Sequence, residues 1–321
     1  MHIAVIIPAY NAARFLPICL ASVRAQTHTD WSAHIVDDGS SDGTASVPIP
    51  DPRITLHRRP HAGVSAARNH GLSQALHADA VMFLDADDWL APDALSRLAS
   101  TLEASPWAVA AAGANAFVHP GGYTRLAARP PSGALLERLL VRNLFTNGGQ
   151  ILICREALET AGLFRPDLAF GEDWEFWTRL AALGEFVTIP SHTPVLYVRE
   201  HQDSAYRRMA TQPARAEAVL AAIYANPAHQ TRLGTDTLHR LQAKAEAEQA
   251  WVIGRELIRH GQTGIGLRWL RQSLRQAPSL RRAALLLLSR SGLGPFRPYK
   301  FPGAHPAGPI DPADALATIS P

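Results

Sequence analysis

Four short apolar runs alternate with helical patterns along the first 90 residues of the chain. The runs are His2–Pro8, His34–Val36, Ile54–His57 and Ala80–Leu84. The first has no polar residue after His2, which is typical of a strand that is buried on both faces. Strands that alternate with helices form parallel sheets covered by helices. The sequence therefore predicts an α/β fold with a mixed, mainly parallel sheet.

Polar clusters follow three of these runs directly. Asn11 follows the first run, Asp37 and Asp38 follow the second, and 85–88 follow the fourth. Ligands of open α/β sheets bind at the carboxyl ends of the strands. We therefore expect these acids and amides to face one crevice.

Three carboxylates lie within four residues at the end of the fourth run. Asp85, Asp87 and Asp88 would repel one another without a positive partner. A divalent cation resolves that repulsion, and oxygen ligands favour Mg²⁺ or Mn²⁺ over Zn²⁺. Because Mg²⁺ usually takes one or two protein carboxylates, the expected ligand is a metal together with a diphosphate. The competing interpretation is an acidic cap for a helix that begins near Pro92.

Three further segments each have a structural and a functional interpretation. The pair Asp37 and Asp38 forms either an ordinary turn or a site that reads a base or ribose through carboxylate acceptors. Tyr10 either stacks on a base or covers the edge of the sheet. Arg68 follows Gly63 and a run of small residues, so it either offers a cation to phosphate or lies in a closely packed helix start.

Acidic and aromatic side chains are combined at 171–177. Glu172 and Asp173 precede Trp174 and Trp177 at the start of an amphipathic helix. A carboxylate beside tryptophans is partly desolvated, which raises its pKa and suits it to accept a proton from a hydroxyl. An acidic first turn that complements the helix dipole is the alternative.

Five motifs, taken in order, resemble those of the family 2 glycosyltransferases, which have the GT-A fold. The motifs are PAYN at 8–11, VDDGSSDGT at 36–44, GVSAARNHGL at 63–72, FLDADDWL at 83–90 and GEDWEFW at 171–177. The resemblance covers roughly residues 3–204. It implies a Rossmann-like sheet with flanking helices, a nucleoside-diphosphate sugar donor with UDP-sugars favoured, and a Mn²⁺ or Mg²⁺ ion. It also implies a single displacement that inverts the anomeric carbon.

The resemblance implies a nucleotide-sugar site at the strand ends. Pro8, Ala9 and Tyr10 would line the base pocket, and Asn11 would belong to the same site. Asp38 would hold the base, with Asp37 beside it, and Arg68 would lie near the diphosphate or the sugar.

The resemblance also implies the metal and catalytic residues. Asp87 would be the direct metal ligand, and Asp85 would share the metal site and lie nearer the ribose. Asp88 would approach the donor sugar. Asp173 would be the general base, supported by Glu172. His201, after the last core strand, would reach the metal or diphosphate, or else be a surface residue.

The chain divides by charge near residue 204. Residues 1–204 carry 15 arginines and 21 acids, whereas 205–321 carry 16 basic residues and 7 acids. We expect a catalytic domain over 1–204, a helical extension over 205–292 and a loose tail rich in proline and glycine over 293–321. The basic region either contacts a membrane or a partner peripherally or presents a solvated surface. It lacks the stacking aromatics of RNA-binding modules, so we expect no nucleic acid.

Two stretches of the extension have informative spacing. Residues 253–278 match a single tetratricopeptide repeat, and one repeat cannot bury its own face, so we expect a helical hairpin packed on the catalytic domain. Leu280–Arg290 combines an apolar run with flanking arginines. It is either an interfacial helix or a buried final helix.

The composition excludes several classes of protein. A hydrophobic fraction of 47% and a charged fraction of 18% exclude a fibrous or wholly disordered chain. Two cysteines cannot form a disulfide framework or fill a four-ligand zinc site. No segment has the roughly 20 apolar residues of a membrane span, and the first residues lack a signal-peptide pattern. We therefore expect a cytoplasmic location, or peripheral attachment to the inner face of the cytoplasmic membrane.

The resemblance implies an enzyme that moves one sugar per encounter to a hydroxyl of a glycan or lipid-linked glycan. Arginine greatly outnumbers lysine, which is typical of a GC-rich bacterial genome and points to assembly of cell-envelope polysaccharide. A sugar-nucleotide pyrophosphorylase would need a glycine-rich basic loop after the first strand, which 8–11 lack. An inactive nucleotide-sugar-binding or scaffold protein is the other alternative, and the intact acids argue against it.

Overall fold

The computed structural model describes residues 1–119, 124–200 and 213–290. The strands are β1 (Ile3–Ala9), β2 (Trp31–Asp37), β3 (Ile54–Arg58), β4 (Ala80–Phe83), β5 (Trp89–Leu90), β6 (Ala108–Ala112), β7 (Ala114–Val118), β8 (Thr124–Leu126), β9 (Ile151–Cys154), β10 (Glu185–Thr188) and β11 (Pro194–Arg199). The helices are α1 (Leu16–Arg24), α2 (Val64–Gln74), α3 (Ala94–Glu103), α4 (Leu136–Val141), α5 (Arg155–Ala161), α6 (Glu172–Leu183), α7 (Pro213–Tyr224), α8 (Pro227–Leu233), α9 (Thr235–Arg259), α10 (Thr263–Gln276) and α11 (Leu280–Arg290).

Within the described ranges, seven strands form one sheet in the order β10-β6-β9-β4-β1-β2-β3. β1 pairs in parallel with β2 and β4, and β2 pairs in parallel with β3. β9 runs antiparallel to both β4 and β6, and β10 is parallel to β6. The expected α/β fold with a mixed, mainly parallel sheet and flanking helices is confirmed.

Alternate residues of β1 serve two separate cores, one on each face of the sheet. Ala4 and Ile6 pack with α2, α4 and α6, whereas Ile3, Val5 and Ile7 pack with α1 and α3. Every residue of β1 is buried, because helices cover both faces of a central strand.

The second strand is longer than the apolar run predicts. β2 begins at Trp31, three residues before His34, and its first four residues alternate between buried and half-buried. Ser32 and His34 occupy the half-buried positions, so an apolar run is visible only near the end of the strand. Period-two alternation, rather than continuous hydrophobicity, marks the start of β2.

A second, smaller sheet lies beside the carboxyl ends of the main strands. Its order is β5-β11-β7-β8. Gly113 separates β6 of the large sheet from β7 of the small one, and a Cβ at this position would lie 2.6 Å from Cγ2 of Val195. The absence of a side chain therefore lets β11 approach the chain closely at this crossing.

The C-terminal helices pack on the α/β domain through α9. Leu238, Leu241 and Ala245 of α9 belong to the same buried cluster as α4 and α6. α9 and α10 form a hairpin in which Gly254 and Gly266 allow close backbone approach. The boundaries at residues 204 and 292 remain a prediction, and the tail at 293–321 lies outside the described residues. None of the described helices has an apolar stretch long enough to cross a bilayer.

Candidate active site

The loops after β1 and β2 are joined to each other at the carboxyl edge of the sheet. Ala9 lies opposite Asp37 in the parallel register, and the backbone N–H of Asp38 donates to the carbonyl of Ala9 at 2.9 Å. Asn11 has a left-handed backbone with φ of 51°. Its backbone N–H donates to Ser40 Oγ, and its Oδ1 accepts from the backbone of Ser41, both at 2.9 Å. The structure thus brings the first and second motifs together.

Asp38 is buried, and its carboxylate organises the loop before α2. Its oxygens accept hydrogen bonds from the backbone N–H of Ala62 at 3.1 Å and of Gly63 at 2.7 Å, and His61 Nδ1 lies 2.9 Å away. Asp37 is also buried, and its Oδ1 accepts from the backbone of Ser40 at 3.0 Å. Asp37 Oδ2 makes no hydrogen bond to any described residue. Instead, this oxygen forms an ion pair with Arg58 Nε at 3.4 Å.

Tyr10 projects from the end of β1 and is half-exposed. Its ring stacks on the imidazole of His61, with 4.2 Å between centroids and 30° between planes. His61 was not singled out from the sequence. Pro8 and Ala9 are the last two residues of β1 and are buried. An aromatic pair therefore borders the predicted base pocket.

Arg68 connects the end of β4 to the start of α6. Its Nη2 donates to Asp85 Oδ1 at 2.9 Å, and its Nη1 donates to Glu172 Oε1 at 2.7 Å. Burial lowers the pKa of this guanidinium, but the negative charges of Asp85, Glu172 and Asp173 outweigh that effect and raise it above its ordinary value. One buried cation thus joins two acidic motifs that are far apart in the sequence.

Asp173 is a half-buried carboxyl in the first turn of α6. Its Oδ1 accepts from the backbone N–H of Trp174 at 2.5 Å. Burial and the neighbouring charge of Glu172 raise the pKa of Asp173 to about 7, although Arg68 acts in the opposite direction. This pKa agrees with the desolvation expected beside tryptophans, and it places the group where proton acceptance near neutral pH is effective.

Asp88 is buried at the junction of β4 with the smaller sheet. Its Oδ2 accepts from Asn147 Nδ2 at 2.5 Å, and its Oδ1 accepts from the backbone N–H of Arg199 at 2.9 Å. Burial and the charges of Asp87 and Asp85 raise the pKa of Asp88 well above its usual range. Both of its oxygens therefore have protein partners, and its predicted approach to the donor sugar remains a prediction.

Arg199 at the end of β11 was missed by sequence reasoning. Its Nε donates to the carbonyl of Asp87 at 3.1 Å, and its guanidinium lies 4.8 Å from the Trp89 ring centroid. Burial lowers the pKa of Arg199 from its ordinary value. A basic residue closing the last core strand was the available signal, but arginines are too common in this chain for that signal to be distinctive.

The carboxylates after β4 fit a divalent cation held by few protein ligands. Burial and the charge of Asp87 raise the pKa of Asp85, although Arg68 acts in the opposite direction, so a second cation would relieve the repulsion between the two acids that remains. Among the described residues no group of three or more His, Cys, Asp or Glu is placed to enclose a metal. The donor set therefore suits a cation that takes one or two carboxylates and completes its shell with water and phosphate. His201 lies outside the described residues.

Comparison with known proteins identifies the family. Residues 4–162 match the model of glycosyl transferase family 2. The chain is 37% identical over 100 residues to the glycosyltransferase GlyA of Streptococcus pneumoniae serotype 4, a match covering 30% of this chain and 14% of that protein. The chain spans 34% and 30% of the lengths of two further matched relatives.

Two solved structures share the fold. The structure of S. aureus TarS 1–349 in complex with UDP-GlcNAc has a TM-score of 0.57 and 15% identity, and it covers 91% of this chain and 88% of that one. The mannosyltransferase PcManGT from Pyrobaculum calidifontis, in complex with GDP-Man and Mn²⁺, also has a TM-score of 0.57, with 21% identity and coverage of 90% and 79%. The family match and the shared architecture agree: residues 4–162 belong to glycosyl transferase family 2, and the chain has the GT-A fold.

Proposed function

We propose that this chain transfers a sugar from a nucleoside-diphosphate sugar to a hydroxyl of a glycan or lipid-linked glycan, with inversion at the anomeric carbon. One observation carries the proposal: Arg68 binds Asp85 at 2.9 Å and Glu172 at 2.7 Å. The acidic turn after β4 and the acidic start of α6 therefore face the same space. A donor site and a proton acceptor in one crevice are what glycosyl transfer to a hydroxyl requires.

The strand-end loops supply the proposed donor site. Tyr10 with His61 offers an aromatic surface for a base, and Asp37 Oδ2, which is paired with Arg58 at 3.4 Å but makes no hydrogen bond to a described residue, would accept one from the nucleoside. TarS is in complex with UDP-GlcNAc and PcManGT with GDP-Man, which supports a nucleoside-diphosphate sugar as the donor class. We favour a UDP-sugar.

Asp87 and Asp85 are the residues that would hold Mn²⁺ or Mg²⁺. A bound divalent cation would offset the negative charge that grows on the leaving diphosphate. The Mn²⁺ in the PcManGT complex supports this part of the proposal. Asp88, held by Asn147 and the backbone of Arg199, would fix the orientation of the turn that carries both acids.

Asp173 would accept the proton from the acceptor hydroxyl. The hydroxyl oxygen forms a bond to the anomeric carbon from the side opposite the diphosphate, the bond to the diphosphate oxygen breaks, and the hydroxyl proton passes to Asp173. A single displacement of this kind inverts the anomeric centre. Glu172, fixed by Arg68, raises the pKa of Asp173 and keeps its proton affinity near the working pH.

We place this reaction in the cytoplasm. Cys19 and Cys154 are free thiols, and Cys19 is buried directly beneath the acidic turn, with its Sγ 3.9 Å from the carbonyl of Asp85. A reducing compartment keeps such thiols free. The proposed acceptor is a glycan of the cell envelope, which the excess of arginine over lysine favours.

The test is a panel of nucleotide sugars scored for slow donor hydrolysis with Mn²⁺, with Mg²⁺ and with chelator. We expect one donor to be hydrolysed only with metal, and Asp87→Ala to abolish that hydrolysis. The matched control is Asp93→Ala, which removes an exposed acid at the start of α3, outside the crevice. Hydrolysis of no donor, or equal loss in both variants, would refute the proposed site.

A further inference from the structure

The final helix turns an apolar stripe outward. Leu280, Ala284 and Leu287 are spaced at i, i+4 and i+7, so they lie on one face of α11. Leu280 is 92% exposed and Leu287 is 64% exposed, and Ala284 is also exposed. A surface helix of a globular protein normally directs such a stripe to the core.

Contacts on the opposite side fix the orientation of α11. Leu286 is buried in a cluster with Ile258 and Leu270. Arg282 Nη2 donates to Glu248 Oε2 of α9 at 2.5 Å. The helix already has a core-facing side, so the outward stripe is additional to it.

The same region carries positive charge without compensation from its own sequence. Residues 263–290 contain six arginines and no aspartate or glutamate. Arg268, Arg271 and Arg275 are exposed on one side of α10, and Arg281 is exposed next to the first leucine of the stripe. A groove of about 340 Å³ between the two helices is lined by Leu274, Pro278, Ser279, Leu280 and Ala283. Exposed leucines and exposed arginines are therefore combined on α10 and α11.

We propose that α10 and α11 dock on an anionic lipid bilayer. The leucines of the stripe would enter the boundary between head groups and acyl chains, and the arginines would contact lipid phosphates. Apolar burial and charge act together on such a surface, because one short apolar stripe binds a bilayer only weakly. A nucleic acid would use the arginines but gain nothing from Leu280 and Leu287, so the apolar stripe favours the bilayer.

The experiment is co-sedimentation of the full chain with vesicles of equal parts phosphatidylglycerol and phosphatidylcholine, compared with pure phosphatidylcholine vesicles. We expect binding to the anionic vesicles alone, and release at about 0.5 M NaCl, where charges beyond a few ångströms are screened. Leu280→Gln with Leu287→Gln should weaken binding by about tenfold. The matched control, Leu76→Gln with Leu163→Gln, changes leucines that are 68% and 58% exposed elsewhere, and it should bind like the wild type.

A second pair of variants separates local charge from net charge. The first double variant is Arg271→Glu with Arg275→Glu, and the second is Arg24→Glu with Arg129→Glu. Both change the net charge by the same amount, and all four arginines are exposed. Only the first pair should reduce vesicle binding. Binding needs no donor, so the result is independent of the proposed transfer reaction, and circular dichroism of each variant verifies its folding.

Several results would overturn the proposal. One is equal binding to neutral and anionic vesicles, or none to either. Another is unchanged binding after the leucine substitutions, which would leave only a charged surface. A third is a wild-type dimer that becomes monomeric with Leu280→Gln and Leu287→Gln in sedimentation velocity without vesicles, since the stripe would then contact a second copy. A fourth is binding that emerges only after removal of residues 291–321, which would make that segment the occupant.

Discussion

At the scale of single residues, the site depends on one guanidinium. Arg68 holds Asp85 and Glu172 in fixed positions, and no lysine could donate to both from a rigid planar fork. Arg68 also lowers the pKa of Asp173, which burial and Glu172 would otherwise raise further. Arg68 therefore limits a rise in the pKa of the proposed base that burial and Glu172 cause, without being placed in contact with the acceptor.

Arg68→Ala should move the pH dependence of transfer. Without the cation, the pKa of Asp173 rises above 7, so the rise of kcat with pH should shift to higher pH. The variant should also unfold more easily, by about 3 kcal/mol, because two carboxylates lose their buried partner. The measurements are kcat against pH and urea denaturation. Arg165→Ala, which removes an exposed ion pair with Asp167, is the control and should change neither.

Asp173→Asn should abolish transfer while preserving donor binding. The loss of a general base typically costs roughly 10²- to 10⁴-fold in rate. In the wild type, kcat should rise with pH through about 7 as Asp173 deprotonates. Normal turnover by the variant, with donor affinity unchanged in calorimetry, would show that another group accepts the proton.

The same variant should alter stability in a pH-dependent way. Folding raises the pKa of Asp173 from 3.8 to about 7, so its protonated form contributes stability at low pH that is lost as the pH rises through 7. Asn cannot ionise, so the free energy of unfolding of the variant, relative to the wild type, should increase from pH 4 to pH 8. Denaturation curves at both pH values test this sign, and an opposite slope would contradict the raised pKa.

At the scale of elements, α2 lies against β1 because Gly71 has no side chain. A Cβ at this position would lie 2.4 Å from Cγ2 of Ile6, which is closer than real Cβ contacts. This packing positions Arg68, one turn earlier on α2, above the end of β4. Glycine is unfavourable in the middle of a helix, and here the close packing of α2 on β1 explains its presence.

Gly71→Ala should destabilise the fold by about 1–3 kcal/mol through overpacking. Gly264→Ala in α10 is the matched control, since nothing lies within 4 Å of its Cβ position. There the lower backbone entropy of alanine in the unfolded chain should stabilise the protein by up to about 1 kcal/mol. Thermal denaturation of both variants measures the two changes in stability. Equal changes would mean that α2 moves away from β1 without loss of stability.

At the scale of the whole molecule, the core does not stop at the end of the α/β domain. Val219 and Ile223 of α7 and Leu238 of α9 are buried in the same cluster as Val81 of β4. Among the described residues, the α/β domain and the helices α7 to α9 therefore share one buried cluster. The change of net charge near residue 204 therefore does not mark the edge of this cluster.

The full chain should unfold in one transition, with equal calorimetric and van't Hoff enthalpies. A chain that ends at residue 204 should be much less stable or insoluble, because it exposes the face of α4 and α6 that α7 and α9 cover. Scanning calorimetry of the full chain and solubility of the shortened one provide the test. Two separate transitions, with a stable shortened chain, would show that the two parts fold independently.

Local pattern was sufficient for much of the fold. The strands β1, β3 and β4 and the helices α1 and α2 follow from apolar runs and turn residues, because sheet and helix periodicity is imposed by neighbours along the chain. The placement of Asn11, Asp37 and Asp85 at one edge also follows, since parallel strands end on the same side. The five motifs were sufficient to indicate the family that the comparisons show.

Other features arise only when distant segments meet. The sequence by itself determined which motif follows each strand, which acids lie at the strand ends, and the basic character of the last helices. The tertiary structure alone decided that Arg68 bridges Asp85 and Glu172, that Asp88 is held by Asn147, and that the leucines of α11 face outward. The physical reason is that hydrogen-bond partners and burial are set by contacts between residues remote in the chain, which no local spacing encodes.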